Sequence, residues 1–136
     1  MKTKALITLG AAALTILATA VPANASVSKT NSNVRIIISG STQCDGWVEA
    51  SDDGVNAIGT FSGVDYSASC IGWLERKRYN DNGTVMYNWT KITDYYYLNG
   101  IQTSLSGWHW NGTNAGTRVC MKFTPTGETG CSNGIW

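Results

Sequence analysis

From Val34 onward, apolar residues recur at alternate positions in short runs broken by Gly, Asn and Asp. A period of two marks an extended strand with one buried face. The clearest run occurs twice, as Cys44-Asp45-Gly46-Trp47-Val48-Glu49 and Cys70-Ile71-Gly72-Trp73-Leu74-Glu75. In extended backbone, Cys, Gly and Val or Leu share one face of each copy, and Trp and Glu share the other. Glu is seldom fully buried, so the Cys face is assigned to the core. Gly46 and Gly72 then leave room on that face for a large side chain from an opposing layer.

The remaining pattern predicts strands and turns throughout. Residues 34–38 form a first β-branched strand, and 40–43 turn the chain into the first Cys motif. Asp52-Asp53-Gly54 marks a turn, 56–61 a weaker strand interrupted by Gly59, and Ser62-Gly63 another turn. The second motif runs on through Arg78 as the longest strand. Asn-Gly dipeptides at 82–83, 99–100, 111–112 and 133–134 suit the positive φ angles of tight turns. They separate strands at 85–92, 95–98, 101–105 and 107–110. Over 117–123, Val119, Met121 and Phe123 take one face while Arg118, Cys120 and Lys122 take the other. No helical period appears beyond the N-terminal stretch. The expected fold is all-β, a small disulfide-bonded β-sandwich or flattened barrel.

The N-terminus reads differently. Lys2 and Lys4 precede an apolar run over 5–20, then Pro22 and the small-residue site Ala23-Asn24-Ala25. This is the layout of a secretory signal peptide covering 1–25, with cleavage after Ala20 as the alternative. The run is too short and too rich in Ala, Gly and Thr for a comfortable membrane span. Polar residues 26–33 are expected as a mobile leader, and 34–136 as a single all-β domain. The localisation expected is secreted and extracellular, with no membrane contact after signal cleavage. A bacterial chain suits this leader, and Asn82, Asn88 and Asn111 in Asn-x-Thr triplets are then chance matches rather than glycosylation sites.

Charge adds a negative constraint. Without Lys2 and Lys4, eight Lys and Arg stand against nine Asp and Glu. Nucleic-acid binding needs a clustered basic footprint, and the one cluster is Arg76-Lys77-Arg78. Alternation sends Lys77 to the face opposite its neighbours, so the run reads as a solvated strand end.

All four Cys follow the leader, which favours two disulfides over metal or redox chemistry. The preferred pairing is Cys44–Cys70 with Cys120–Cys131, contributing about 3.5 and 2.8 kcal/mol in the loop-entropy description. Cys120 points away from the presumed core, so a local surface bond across the turn at 125–130 suits it. If the two motif strands flanked a third in one sheet, they would lie about 9.6 Å apart. Bonded Cys need Cα atoms within about 7 Å. The preferred bond therefore requires the motif strands to lie on facing sheets, or the strand at 56–61 to cross between sheets. Neither pair has Cys-x-x-Cys spacing, and a single His cannot complete a zinc site; no metal or cofactor is expected.

One fragment, Asn114-Ala115-Gly116-Thr117-Arg118-Val119-Cys120, resembles the Asp-x-Gly-x-Tyr-x-Cys corner of immunoglobulin-like domains. Arg118 stands where the corner tyrosine belongs. The resemblance implies an immunoglobulin-like sandwich and an alternative bond, Cys70–Cys120 or Cys44–Cys120.

For function, the deviation is aromatic: six Trp and six Tyr in a chain of low charge. These rings bury large areas while keeping a polar handle, which suits binding platforms. Trp108 and Trp110, two apart beside a turn, are expected on one strand face with His109 on the other. Trp47 and Trp73 share the outward face of the motif, and Tyr95 and Tyr97 share a face opposite Tyr96. These six are the candidate ligand-binding residues. The expected function is a secreted binding protein holding a glycan, a cell-surface component or a protein partner through aromatic surface. A secreted inhibitor or antimicrobial protein is a close variant. The alternative class is a small extracellular hydrolase using His109 with a carboxylate, for instance Glu75 beside Arg76. Paired carboxylates for glycoside cleavage among Glu49, Asp52, Asp53 and Glu75 are a weaker version. The absence of a strong acid–base cluster favours binding over catalysis.

Non-reducing peptide mapping is expected to join Cys44 to Cys70 and Cys120 to Cys131, with no free thiol. A peptide joining Cys44 to Cys120 would instead establish the immunoglobulin-like pairing.

Overall fold

The structure, a computed structural model, describes residues 24–136. Most of the signal-peptide assignment lies outside them. Strands and no helix occur in this stretch, and every strand pair is antiparallel. The first sheet opens as a meander of β1 (Ala25–Lys29), β2 (Asn33–Ile38), β3 (Ser41–Ala50) and β4 (Asn56–Gly63). The chain crosses to a second sheet for β5 (Ser69–Tyr79), β6 (Val85–Lys91) and β7 (Tyr96–Asn99). It returns for β8 (Gln102–Trp110), which pairs with β4, and crosses again for β9 (Ala115–Phe123) and β10 (Thr129–Cys131). The sheet orders are β1-β2-β3-β4-β8 and β10-β9-β5-β6, with β7 sharing the β6 side of β5. The result is a small disulfide-bonded β-sandwich.

The repeated motif places its faces as alternation requires. Cys44, Gly46 and Val48 of β3 and Cys70, Gly72 and Leu74 of β5 are all buried. The two copies lie on facing sheets, joined by the Cys44–Cys70 disulfide with Cα atoms 5.9 Å apart. Large side chains from one sheet enter the space left by glycines on the other. A Cβ on Gly46 would stand 2.8 Å from both Met121 Cγ and Val119 Cγ2 of β9. One on Gly59 of β4 would stand 2.6 Å from Leu74 Cδ2, and one on Gly72 would enter the Phe61 ring. Phe61 in turn stacks on Tyr96, with ring centroids 4.8 Å apart. None of these three glycines has a positive φ, so they serve space rather than conformation.

The second disulfide is Cys120–Cys131, between directly paired residues of β9 and β10. The alternative bonds implied by the immunoglobulin-like fragment are not formed. Cys120 does face away from Val119, Met121 and Phe123. It is nonetheless fully buried, flanked by Trp73 of β5 and Cys131, so the expected surface bond is a covered one.

Four local expectations are corrected. Residues 26–33 are not a leader outside the fold: β1 pairs with β2 from Ala25↔Ile38 to Lys29↔Val34, and Val27 packs against the core. One apolar residue among Ser, Lys, Thr and Asn was too weak a signal, and the strand depends on its neighbour. The strand at 56–61 continues to Gly63, and the expected turn at 62–63 falls later, where Asp65 bonds Ser67. The two strands expected at 101–105 and 107–110 are one, β8, kept continuous by a bulge. There Gly107 takes φ +74° and Ser106 Oγ accepts the Gly59 N–H at 2.9 Å. Positive φ occurs at Gly83, Gly100 and Gly134 as the Asn-Gly pairs predict, but not at Gly112.

Replacing Gly72 by Ala drives a Cβ into Phe61, and overpacking of this kind costs about 1–3 kcal/mol. Phe61→Ala removes the ring at about 3–5 kcal/mol. Denaturant unfolding of both single variants and the double variant should show a double cost below the sum, because the added methyl occupies vacated space. A neutral Gly72→Ala would mean that Phe61 does not seat on β5.

Candidate functional site

The structure divides the six predicted aromatic residues into three groups. Trp73, Tyr95 and Tyr97 come together on the outer face of β5 and β7. The Tyr95 ring meets Trp73 edge-on at 5.4 Å and Tyr97 at 6.5 Å, with the Lys91 ammonium 3.8 Å from the Tyr95 centroid. Trp73 Nε1 donates to Glu75 Oε1 at 2.9 Å. Glu75 Oε2 accepts from Arg118 Nη2 and Nε at 2.6 and 2.8 Å, and the Arg118 guanidinium lies 4.6 Å from the Trp89 ring. The outer face of the second sheet is thus a row of rings braced by one half-buried ion pair. Trp47 stands apart on β3, half-buried beside Asn33 of β2 and Thr60 of β4. The third group is β8, and it splits further.

Trp108 is 58% exposed, paired with Ile58 in the sheet. Trp110, 38% exposed, takes a different environment. Its ring covers Gly112, where a Cβ would stand 2.6 Å from the indole. The guanidinium carbons of Arg76 and Arg78 lie 5.3 and 4.9 Å from its centroid. Such cation–π contacts contribute about 0.5–2 kcal/mol, more as the groups are desolvated. The solvated strand end expected at 76–78 is therefore half right. Lys77 projects alone to the outer face, 5.1 Å from the Tyr79 ring, while Arg76 and Arg78 are half-buried on the opposite side. Both arginines continue the inward parity of Cys70, Gly72 and Leu74; Arg78 lines the cleft beside Trp110, and Arg76 lies behind it against the Trp110 ring.

Trp110 opens onto a cleft of about 1310 Å³ at this end of the sandwich. Tyr79, Trp110 and Trp136 supply its aromatic walls, and Asp53, Asp81 and Asn82 are among its polar lining. Trp136, 63% exposed, is held by Tyr79 at 5.4 Å, Trp89 at 5.8 Å and the bare backbone of Gly116. Local bonds fix the polar groups. Asn111 is buried, accepts the Thr117 hydroxyl at 2.6 Å and anchors the loop to Val55 through its N–H. Asp81 accepts from Asn114 Nδ2 at 2.9 Å, and Asn114 takes φ +60°. Asp53 accepts the Ser51 hydroxyl and, at 3.0 Å, the Val55 N–H.

The hydrolase constellation is not assembled. Glu75 spends both oxygens on Trp73 and Arg118 on the second sheet. His109 lies on β8 of the first sheet, its Nε2 3.1 Å from the Ser106 carbonyl. Among the described residues, the one close grouping of ligand-type side chains is Glu75 with Cys120 and Cys131. Its two sulfurs are bonded to each other and offer no thiolate.

Sequence reasoning missed Arg76 and Arg78 as partners of Trp110, and Tyr79 and Trp136 as the other aromatic walls of its cleft. The parity that separated Lys77 from its neighbours was the available signal. No protein-family model, curated protein or solved structure matches the chain.

The Asp53 carboxyl is held below its ordinary value of 3.8, first by the Ser51 hydroxyl and then by the Val55 N–H. A depressed folded value means these bonds stabilise the turn above the unfolded aspartate's titration, an effect lost as pH falls through the folded value. Carboxyl NMR titration should find the Asp53 midpoint under 3.8, and Ser51→Ala should raise it toward that value. An unchanged midpoint would show that the hydroxyl does not hold the carboxylate.

Proposed function

We propose that the mature chain is released from its cell and binds a polysaccharide in the cleft beside Trp110. One observation carries this reading: a single cleft sets three aromatic rings among carboxylate and amide groups already held by the protein's own turns. Aromatic faces pack against the C–H faces of sugar rings. Carboxylates and amides receive or donate hydrogen bonds to the hydroxyls at the ring edge. Because local bonds fix those groups beforehand, little side-chain freedom is left to lose on binding. A rigid sandwich displaying the site at strand ends is a common arrangement for recognition. The two disulfides are compatible with an extracellular protein, and the leader-like N-terminus supports release. A protein partner on the Trp73–Tyr95–Tyr97 face is the second reading, favoured by Tyr97 being 67% exposed with its ring 6.5 Å from that of Tyr95.

Affinity electrophoresis in soluble glycans and pull-down on insoluble cell-wall polysaccharide test the first reading. Trp110→Ala should weaken retention by about 2 kcal/mol, while Trp108→Ala, outside the cleft, should leave it unchanged. Thermal melting of both variants separates lost binding from lost fold. Retention that survives Trp110→Ala, or a wild type retained by no polysaccharide, removes the proposal.

A further inference from the structure

The chain contains four arginines, Arg35, Arg76, Arg78 and Arg118. Two are neutralised in place: Arg35 by Asp45 at 3.3 Å and Arg118 by Glu75 at 2.6 Å. The other two have no carboxylate within ion-pair distance among the described residues, and they lie against one indole ring. Both Nε atoms are buried without a hydrogen-bond partner. Half-buried cations are ordinarily paired, because removal from water costs each of them its solvation. Here two like charges are kept together, and the Trp110 quadrupole is their visible compensation.

Acidic groups are present in the same cleft but are occupied elsewhere. Asp81 is turned to Asn114, and Asp53 to Ser51 and Val55. They line the cleft without neutralising the arginines. The cleft therefore has one positive wall, at Arg78 with Arg76 behind it, and acidic positions away from it. A planar guanidinium presents parallel N–H donors that match an oxyanion in two-point fashion.

We infer that the ligand of this cleft carries an oxyanion, a carboxylate, sulfate ester or phosphate, seated against Arg78 beside the Trp110 ring, with the Arg76 charge behind it. This rests on the polysaccharide reading and narrows it to acidic glycans. The Trp110 ring lies against both guanidinium groups and covers them on one side, where their Nε atoms are buried. The anion supplies the counter-charge that the protein lacks.

The full chain is tested against polygalacturonate and its methyl ester, which share a sugar backbone and differ in charge, and against inorganic sulfate. Retention on polygalacturonate should exceed that on the ester at least tenfold and fall with added salt. Arg78→Gln should abolish the preference, and Arg78→Lys, which keeps charge but loses the fork, should retain part of it. Sulfate should shift the Trp110 indole resonance in the wild type and not in Arg78→Gln. Arg76→Gln provides a second variant should Arg78→Gln unfold. Equal retention on both polymers, unaffected by the arginine variants, overturns the acidic specificity and leaves polysaccharide binding standing. A sulfate response at Trp110 with no polysaccharide retained keeps the anion site and removes the glycan. With neither sulfate response nor retention, both are withdrawn.

Discussion

Facing sheets in a sandwich ordinarily stand about 10 Å apart, while a disulfide holds its Cα atoms within about 7 Å. The Cys44–Cys70 bond spans the two sheets at 5.9 Å, so β3 and β5 must approach more closely than two layers of full side chains allow. The inner-face glycines resolve this conflict. Gly46 admits Met121 and Val119, Gly59 admits Leu74, and Gly72 admits Phe61. Each large residue thus meets bare backbone where a side chain would otherwise block it. The core is thin, filled from alternate sides, and intolerant of one added methyl group at those places.

That constraint also orders the exterior. With Cys, Gly and Leu committed inward on β5, Trp73, Glu75 and Lys77 must face out. There Glu75 pairs with Arg118 across the strand, and Trp73 receives Tyr95. Outer rings and inner core are two readings of one alternation, so neither can change parity alone.

Most of this was legible because it is local or follows from covalent geometry. The core face of both motif copies follows from period two, and the facing sheets from the reach of a disulfide. Three of the four Asn-Gly pairs carry the positive φ that their chemistry suits. The failures have a shared cause. Strand β1 exists because β2 offers it a partner, not because of its own composition. Strand β8 survives its glycine because Ser106 takes up the Gly59 N–H. Gly112 opens a turn to Ala115 without the positive φ that its Asn-Gly pair suits, and its bare backbone is also the floor beneath Trp110. The contact of Trp110 with Arg76 and Arg78 joins residues of different sheets, set by how the sheets meet at one end. Alternation gave the arginines a common side but not the ring waiting there.

Strand β5 carries a consequence of its own. Cys70, at one end, is tied covalently to the opposite sheet, and Arg78 stands eight residues further along with the same parity. A slip of one position along β9 would turn both arginines outward and bring Lys77 alone into the cleft. The sulfur–sulfur bond forbids that slip, since Cys70 cannot leave its partner. The electrostatic sign of the cleft is therefore anchored at the far end of the strand, by a bond whose atoms never approach it.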